Sequence, residues 1–117
     1  MEEENNAGYP VFNQVHDRFN FQNGTFDFNQ QRLDVHRWTD YSTIFSPFPL
    51  ASDETKKPLF DKFLKEIFDD DKDLIKWIQV FLGSCMIGGE NKNKIFPVWY
   101  GNGDNGKSTL VNIITSI

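Results

Sequence analysis

The sequence predicts a mixed α/β chain, and three observations carry that prediction. Near the C-terminal end, Lys94-Ile95-Phe96-Pro97-Val98-Trp99-Tyr100 reads as an apolar strand; a glycine-rich loop follows it, then apolar helix positions at Leu110, Val111, Ile113 and Ile114. Upstream, short runs alternating Phe with polar residues flank Asn23-Gly24, a pattern that predicts a β-hairpin. Between them, Pro58–Phe68 and Asp73–Ile87 carry apolar residues at helical spacing. The expected organisation is an acidic, poorly ordered tail over 1–17, a small α+β domain over 18–93, and the start of a second domain over 94–117.

The totals bound this further. At 117 residues the chain suffices for one ordinary domain with a modest core, and twelve Phe and three Trp supply aromatic bulk for it. A formal net charge of −5 argues against a broadly basic nucleic-acid-binding surface. A single cysteine, Cys85, excludes an internal disulfide and fits a reducing compartment; its apolar helical setting predicts a buried structural thiol. No apolar run reaches the roughly 18–20 residues of a membrane span. The start, Met1-Glu2-Glu3-Glu4-Asn5-Asn6, lacks the basic and apolar regions of a signal peptide. The expected setting is intracellular and cytoplasmic, with no membrane contact.

Taken in order, the tail is rich in Asn and acidic residues, with His16 exposed. In the hairpin, Phe19, Phe21, Phe26 and Phe28 would share one face, for which packing outweighs base stacking as the reading. Strand character resumes at Leu33 and fades after Val35. His36 and Arg37 are candidate phosphate contacts, better read as surface residues over packed Trp38 and Tyr41. Ser46-Pro47-Phe48-Pro49 through Lys57-Pro58 is a proline-punctuated loop. Pro58 suits the first position of a helix whose Phe60, Phe63, Leu64, Ile67 and Phe68 form one apolar face. Asp69-Asp70-Asp71 reads as a solvated turn whose last carboxylate caps the next helix, rather than as a metal site. That second helix is apolar on most sides, which predicts an enclosed position, and Gly88-Gly89 ends it.

The loop Gly101-Asn102-Gly103-Asp104-Asn105-Gly106-Lys107-Ser108-Thr109 has the spacing G-x-x-x-x-G-K-S of a phosphate-binding P-loop, between a predicted strand and a helix. Consecutive backbone N–H groups can surround a polyphosphate, and Gly101, Gly103 and Gly106 allow positive φ and close approach. The positive end of the helix adds attraction. Lys107 is the candidate for the β- and γ-phosphates of ATP, and the Ser108 hydroxyl for Mg²⁺. Pro97 cannot donate a ladder hydrogen bond, which sits awkwardly in a central strand.

From Phe19 onward the features resemble the phage, plasmid and large-DNA-virus primase–helicases whose motor is a superfamily 3 helicase. The stretches concerned are FQNGTFDF, HRWTDYST, PLFDKFLKEIFDDD, LIKWIQVFLGSCMIGG and KIFPVWYGNGDNGKSTLVNII. Trp38 and Pro97 depart from the pattern, Trp38 standing where proline is expected. The resemblance implies a domain preceding the helicase core joined to the start of that core. It also implies a parent that is a homo-hexamer, hydrolyses ATP with Mg²⁺, unwinds DNA in replication and often carries an upstream primase. Only residues 101–109 carry over as functional positions. The acidic pair, sensor residue, arginine finger and DNA-contacting hairpin of the family would follow Ile117, so the chain is expected to be an inactive amino-terminal piece of a larger ATPase. Two other readings are a non-catalytic oligomerisation scaffold and an unrelated P-loop ATPase or kinase.

Overall fold

The computed structural model describes residues 8–89, 94–103 and 106–117. It has a mixed α/β architecture in two compact units, one of residues 1–51 with 85–90, the other of 52–84 with 91–117. Among the described residues no helix is long and apolar enough to cross a membrane.

The first unit is built on an antiparallel sheet of β1 (Arg18–Phe21), β2 (Gly24–Asp27) and β3 (Arg32–Asp34), in that order. The predicted hairpin forms, but with its turn one residue earlier. Phe21 pairs with Gly24, so Gln22-Asn23 makes the turn and Gly24 opens β2. Glycine is needed there for another reason: a Cβ on Gly24 would lie 2.5 Å from the Asp34 carbonyl oxygen, because β3 passes directly over it. The aromatic face is as the alternation predicts. Phe19 stands opposite Phe26 in the register, the Phe19 and Phe21 rings lie 4.8 Å apart, and those of Phe26 and Phe28 lie 5.3 Å apart. Phe21 is buried.

The other face of the hairpin is polar and is buried too, which alternation alone does not reveal. Thr25 and Asp27 are 1% and 2% exposed. The segment after Tyr41 covers this region and the free edge of β1. The Ser46 N–H donates to the Asn20 carbonyl at 2.8 Å and the Gln22 N–H to that of Phe48 at 3.0 Å. The Asn23 side chain grips both backbone groups of Leu50, at 3.0 and 2.8 Å. An irregular segment thus satisfies an edge that would otherwise invite pairing with another chain. Residues 1–7 of the predicted tail lie outside the described residues, whereas Asn13 is tied down. Its N–H donates to Tyr41 at 3.1 Å and its side chain bonds Thr43. The His16 carbonyl accepts from the Gly88 N–H at 2.9 Å.

Asp27 accepts the backbone N–H groups of Gln30 and Asn29, both at 2.9 Å, and pairs with Arg18 at 3.0 Å. The Gln30 bond is the largest influence holding its carboxyl below the usual value; burial opposes it, and the Asn29 bond and the charges of Arg18 and Arg32 assist. Because the folded-state value is the lower one, Asp27 stabilises the fold fully above the unfolded value of about 3.9, and this contribution disappears as pH falls through the folded value. Asp27→Asn is therefore expected to flatten the acid limb of a stability-versus-pH curve below about pH 4. An unchanged acid limb in urea titrations of that variant would contradict the assignment.

The second unit holds α1 (Pro58–Ile67), most of α2 (Lys72–Cys85) and α3 (Lys107–Thr115). Pro58 occupies the start of α1, where its missing N–H costs nothing, and Leu64 is its buried residue. Asp69 and Asp70 turn the chain with φ of 52° and 54°. Asp71 caps α2 as predicted, its Oδ1 accepting the N–H groups of Asp73 at 3.1 Å and Leu74 at 3.0 Å. Leu110 of α3 is fully buried.

Four expectations fail. The helix read as enclosed is not: α2 buries Ile78 alone, and nothing lies within 4 Å of where a Gly83 side chain would begin. Cys85 is exposed rather than buried, for the same lack of a covering element. The core is modest as expected, but Phe21 alone of the Phe and Trp residues described is buried in it. Phe21, Leu64, Ile78 and Leu110 are the buried hydrophobics among the described residues, because each unit is too small to enclose its rings. Finally, residues 94–100 form no strand. Lys94 sits at φ 51° and Pro97 offers no N–H; no other strand of the second unit lies among the described residues to pair with the segment. Phe96 and Tyr100 are left 88% and 89% exposed.

Candidate functional site

The predicted phosphate loop is described in part. Asp104 and Asn105 lie outside the described residues. Of the three glycines expected at positive φ, Gly103 is at 90° and Gly106 at 81°, while Gly101 is not in that region. Gly106 is the N-cap of α3, with ψ 2°, and its carbonyl accepts the Leu110 N–H at 2.9 Å. Among the described residues no side chain caps that end of the helix. The left-handed cap favours glycine, and the space around it admits nothing larger. A Cβ at Gly106 would lie 2.6 Å from Ile67 Cγ2 and 3.2 Å from Phe63 Cε2 of α1.

Lys107 is half-buried and follows this cap, while Ser108 and Thr109 are exposed on the first turn of α3. Lys107 also lines a cavity of about 490 Å³, together with Trp77 of α2, Trp99, Tyr100 and Leu110. Whether ATP and Mg²⁺ suit this arrangement turns on its donors. A helix N-terminus opened by glycine, two left-handed glycines and a lysine suit an anion. For the metal, Ser108 offers one hydroxyl, and among the described residues no group of three or more His, Cys, Asp or Glu comes together. A Mg²⁺ held there would take its remaining ligands from phosphate oxygens and water, as Mg²⁺ commonly does.

The second candidate, His36 and Arg37, lies in the first unit. His36 Nδ1 is 3.0 Å from Thr25 Oγ1, and Arg37 pairs with Asp40 at 3.0 Å. Trp38, expected to pack beneath them, is 80% exposed at the start of a single 3-10 turn (Trp38–Asp40), its ring edge-on to Tyr41. Asp40 is buried and faces a second guanidinium, Arg18, at 3.6 Å. Sequence reasoning missed this Arg18–Asp27–Asp40–Arg37 group. Period-two alternation assigns Arg18 and Asp27 to a solvated face, and nothing local signals that residues 40–46 cover it.

Comparison with known proteins shows the lineage. Residues 9–69 match the family described as D5 N terminal like. The chain belongs to that family. It is also 34% identical over 98 residues to the protein named "Putative helicase 184R" of Invertebrate iridescent virus 6, a match taking in 80% of this chain. The chain spans 10% of that relative's length.

Proposed function

We propose that this chain is the pre-motor domain and phosphate loop of an ATP-dependent replicative DNA helicase of the superfamily 3, primase–helicase type, which works as a homo-hexamer. The observation that carries the reading is the glycine cap at Gly106, which puts Lys107 at the first position of α3. The family match and the helicase name of the viral relative support the same direction.

In this reading the backbone of residues 101–109 and the start of α3 hold the phosphates of ATP. Lys107 neutralises charge on the β- and γ-phosphates, and the Ser108 hydroxyl orients Mg²⁺. Bound Mg·ATP supplies the phosphoryl group whose transfer to water drives the motor. Hydrolysis also needs an acidic group that positions water and a cation opposite the γ-phosphate, contributions worth orders of magnitude in rate. Because no cluster of acidic ligands stands beside Ser108 among the described residues, the chain alone is expected to bind Mg·ATP weakly or not at all, and a micromolar dissociation constant by calorimetry would contradict this. In the full-length protein, Lys107→Ala is expected to abolish ATP hydrolysis and unwinding while circular dichroism stays unchanged. Hydrolysis surviving that substitution would remove Lys107 from the role.

A further inference from the structure

The hydrogen bonds behind β3 fix the proton of a surface histidine. The Asn20 side-chain nitrogen lies 2.7 Å from Ser42 Oγ and 3.1 Å from the Ile44 carbonyl oxygen. A carbonyl can only accept, so the nitrogen of the amide must be on that side and its oxygen must face Thr25. That oxygen lies 2.7 Å from Thr25 Oγ1, and it too can only accept, so the Thr25 hydroxyl proton is committed to it. Thr25 Oγ1 is then left with lone pairs alone for His36 Nδ1 at 3.0 Å. His36 must donate from Nδ1. In its neutral form the imidazole therefore carries its proton on Nδ1 and presents a bare lone pair at Nε2. Thr25 is 1% exposed, which keeps water from competing for the hydroxyl. His36 itself is exposed, and among the described residues Nε2 has no partner.

The two residues that follow have related properties. Arg37 is held by one nitrogen to the buried Asp40 carboxylate, while its side chain remains 46% exposed. Trp38 exposes four-fifths of its surface and touches Tyr41 edge-on, so at least one indole face is open to solvent. Consecutive residues thus offer an acceptor, a fixed guanidinium and a stacking plane. A nucleotide carries the complements: an N–H donor on the base edge, a phosphate anion, and a π-face. Apolar protein surface would use the indole but leave the lone pair and guanidinium without complements.

We propose that His36, Arg37 and Trp38 form a contact point for single-stranded nucleic acid within this domain itself, with Trp38 stacking a base, Arg37 on phosphate and His36 Nε2 accepting from the base edge. The site is separate from the phosphate loop and does not depend on the reading of Lys107. With a net charge of −5 on the chain, attraction is local and binding weak.

The test uses the full 117-residue chain, isotope-labelled, and NMR. At a pH where His36 is neutral, its ring should show Nδ1 protonated and Nε2 bare, and Thr25→Val should abolish that preference. A ring protonated at Nε2 in the parent chain would overturn the proton assignment and with it the proposal. On adding a short oligodeoxythymidylate, the Trp38 indole and His36 ring signals should shift together. Trp38→Ala should weaken binding by about tenfold, and Trp38→Phe much less. Lys107→Ala should leave these shifts unchanged. Signals unmoved by millimolar oligonucleotide, shifts confined to other residues, or a patch that responds to protein concentration alone would each overturn it; the last would mark a protein contact instead.

Discussion

Replacing Gly106 with alanine is expected to destabilise the second unit by roughly 2–4 kcal/mol, combining a left-handed backbone penalty of about 1–2 kcal/mol with an overpacking cost of similar size. The backbone penalty follows from φ 81°. The overpacking follows from the 2.6 Å approach of the new Cβ to Ile67 Cγ2, with Phe63 behind it. Gly103 separates the two contributions. Its φ is 90°, yet nothing among the described residues lies within 4 Å of where its Cβ would be, so Gly103→Ala should show the backbone penalty alone. Urea denaturation of the two variants, with unchanged slopes, measures the difference. Equal losses in the two would show that α1 does not press on the cap. The result also bears on function. If Gly106 is required by its packing on α1, the glycine has a cause independent of phosphate, and what bears on nucleotide binding is the consequence of the cap, Lys107 and Ser108 set at the start of α3.

How much of this was legible in the sequence depends on the range of the forces involved. Features set within a few residues were readable: Pro58 at the start of α1, Asp71 capping α2, and the aromatic face of the hairpin. The glycine spacing of residues 101–106 was readable too, and two of the three glycines it predicted as left-handed, Gly103 and Gly106, are so. Features set by distant chain were not. Asn23-Gly24 signalled a hairpin, but the glycine answers to the carbonyl of Asp34 rather than to the turn. The continuous apolar run of 94–100 has strand propensity, and propensity does not supply a ladder partner. The apolar residues of α2 predicted enclosure, yet Val80 is 66% exposed. Around His36 the sequence gives three chemically suggestive neighbours and no hint of their arrangement. The proton on Nδ1 is set by Ile44, Asn20 and Thr25, which only the fold brings together.

Leu110→Ala is expected to cost about 2–5 kcal/mol, the range for removing a fully buried leucine, of which the cavity left behind sets the exact value. Leu110 has no exposed surface and is the buried anchor of α3. Set against a stability of about 5–15 kcal/mol for an ordinary domain, that loss is a large share. Val111, the next residue along, is 43% exposed, so Val111→Ala should cost well under about 1 kcal/mol and serves as the control for helix propensity. Leu110→Met keeps the volume and should cost less than about 1.5 kcal/mol. The same residue belongs to the candidate site's helix start, where the Leu110 N–H closes the first turn of α3 onto the Gly106 carbonyl. Loss of the anchor should let that turn fray, and hydrogen exchange at the Leu110 amide should then quicken in parallel with the fall in stability. A Leu110→Ala variant as stable as Val111→Ala would mean that α3 is not held by its buried face, and the placement of Lys107 and Ser108 at a fixed helix start would have no support.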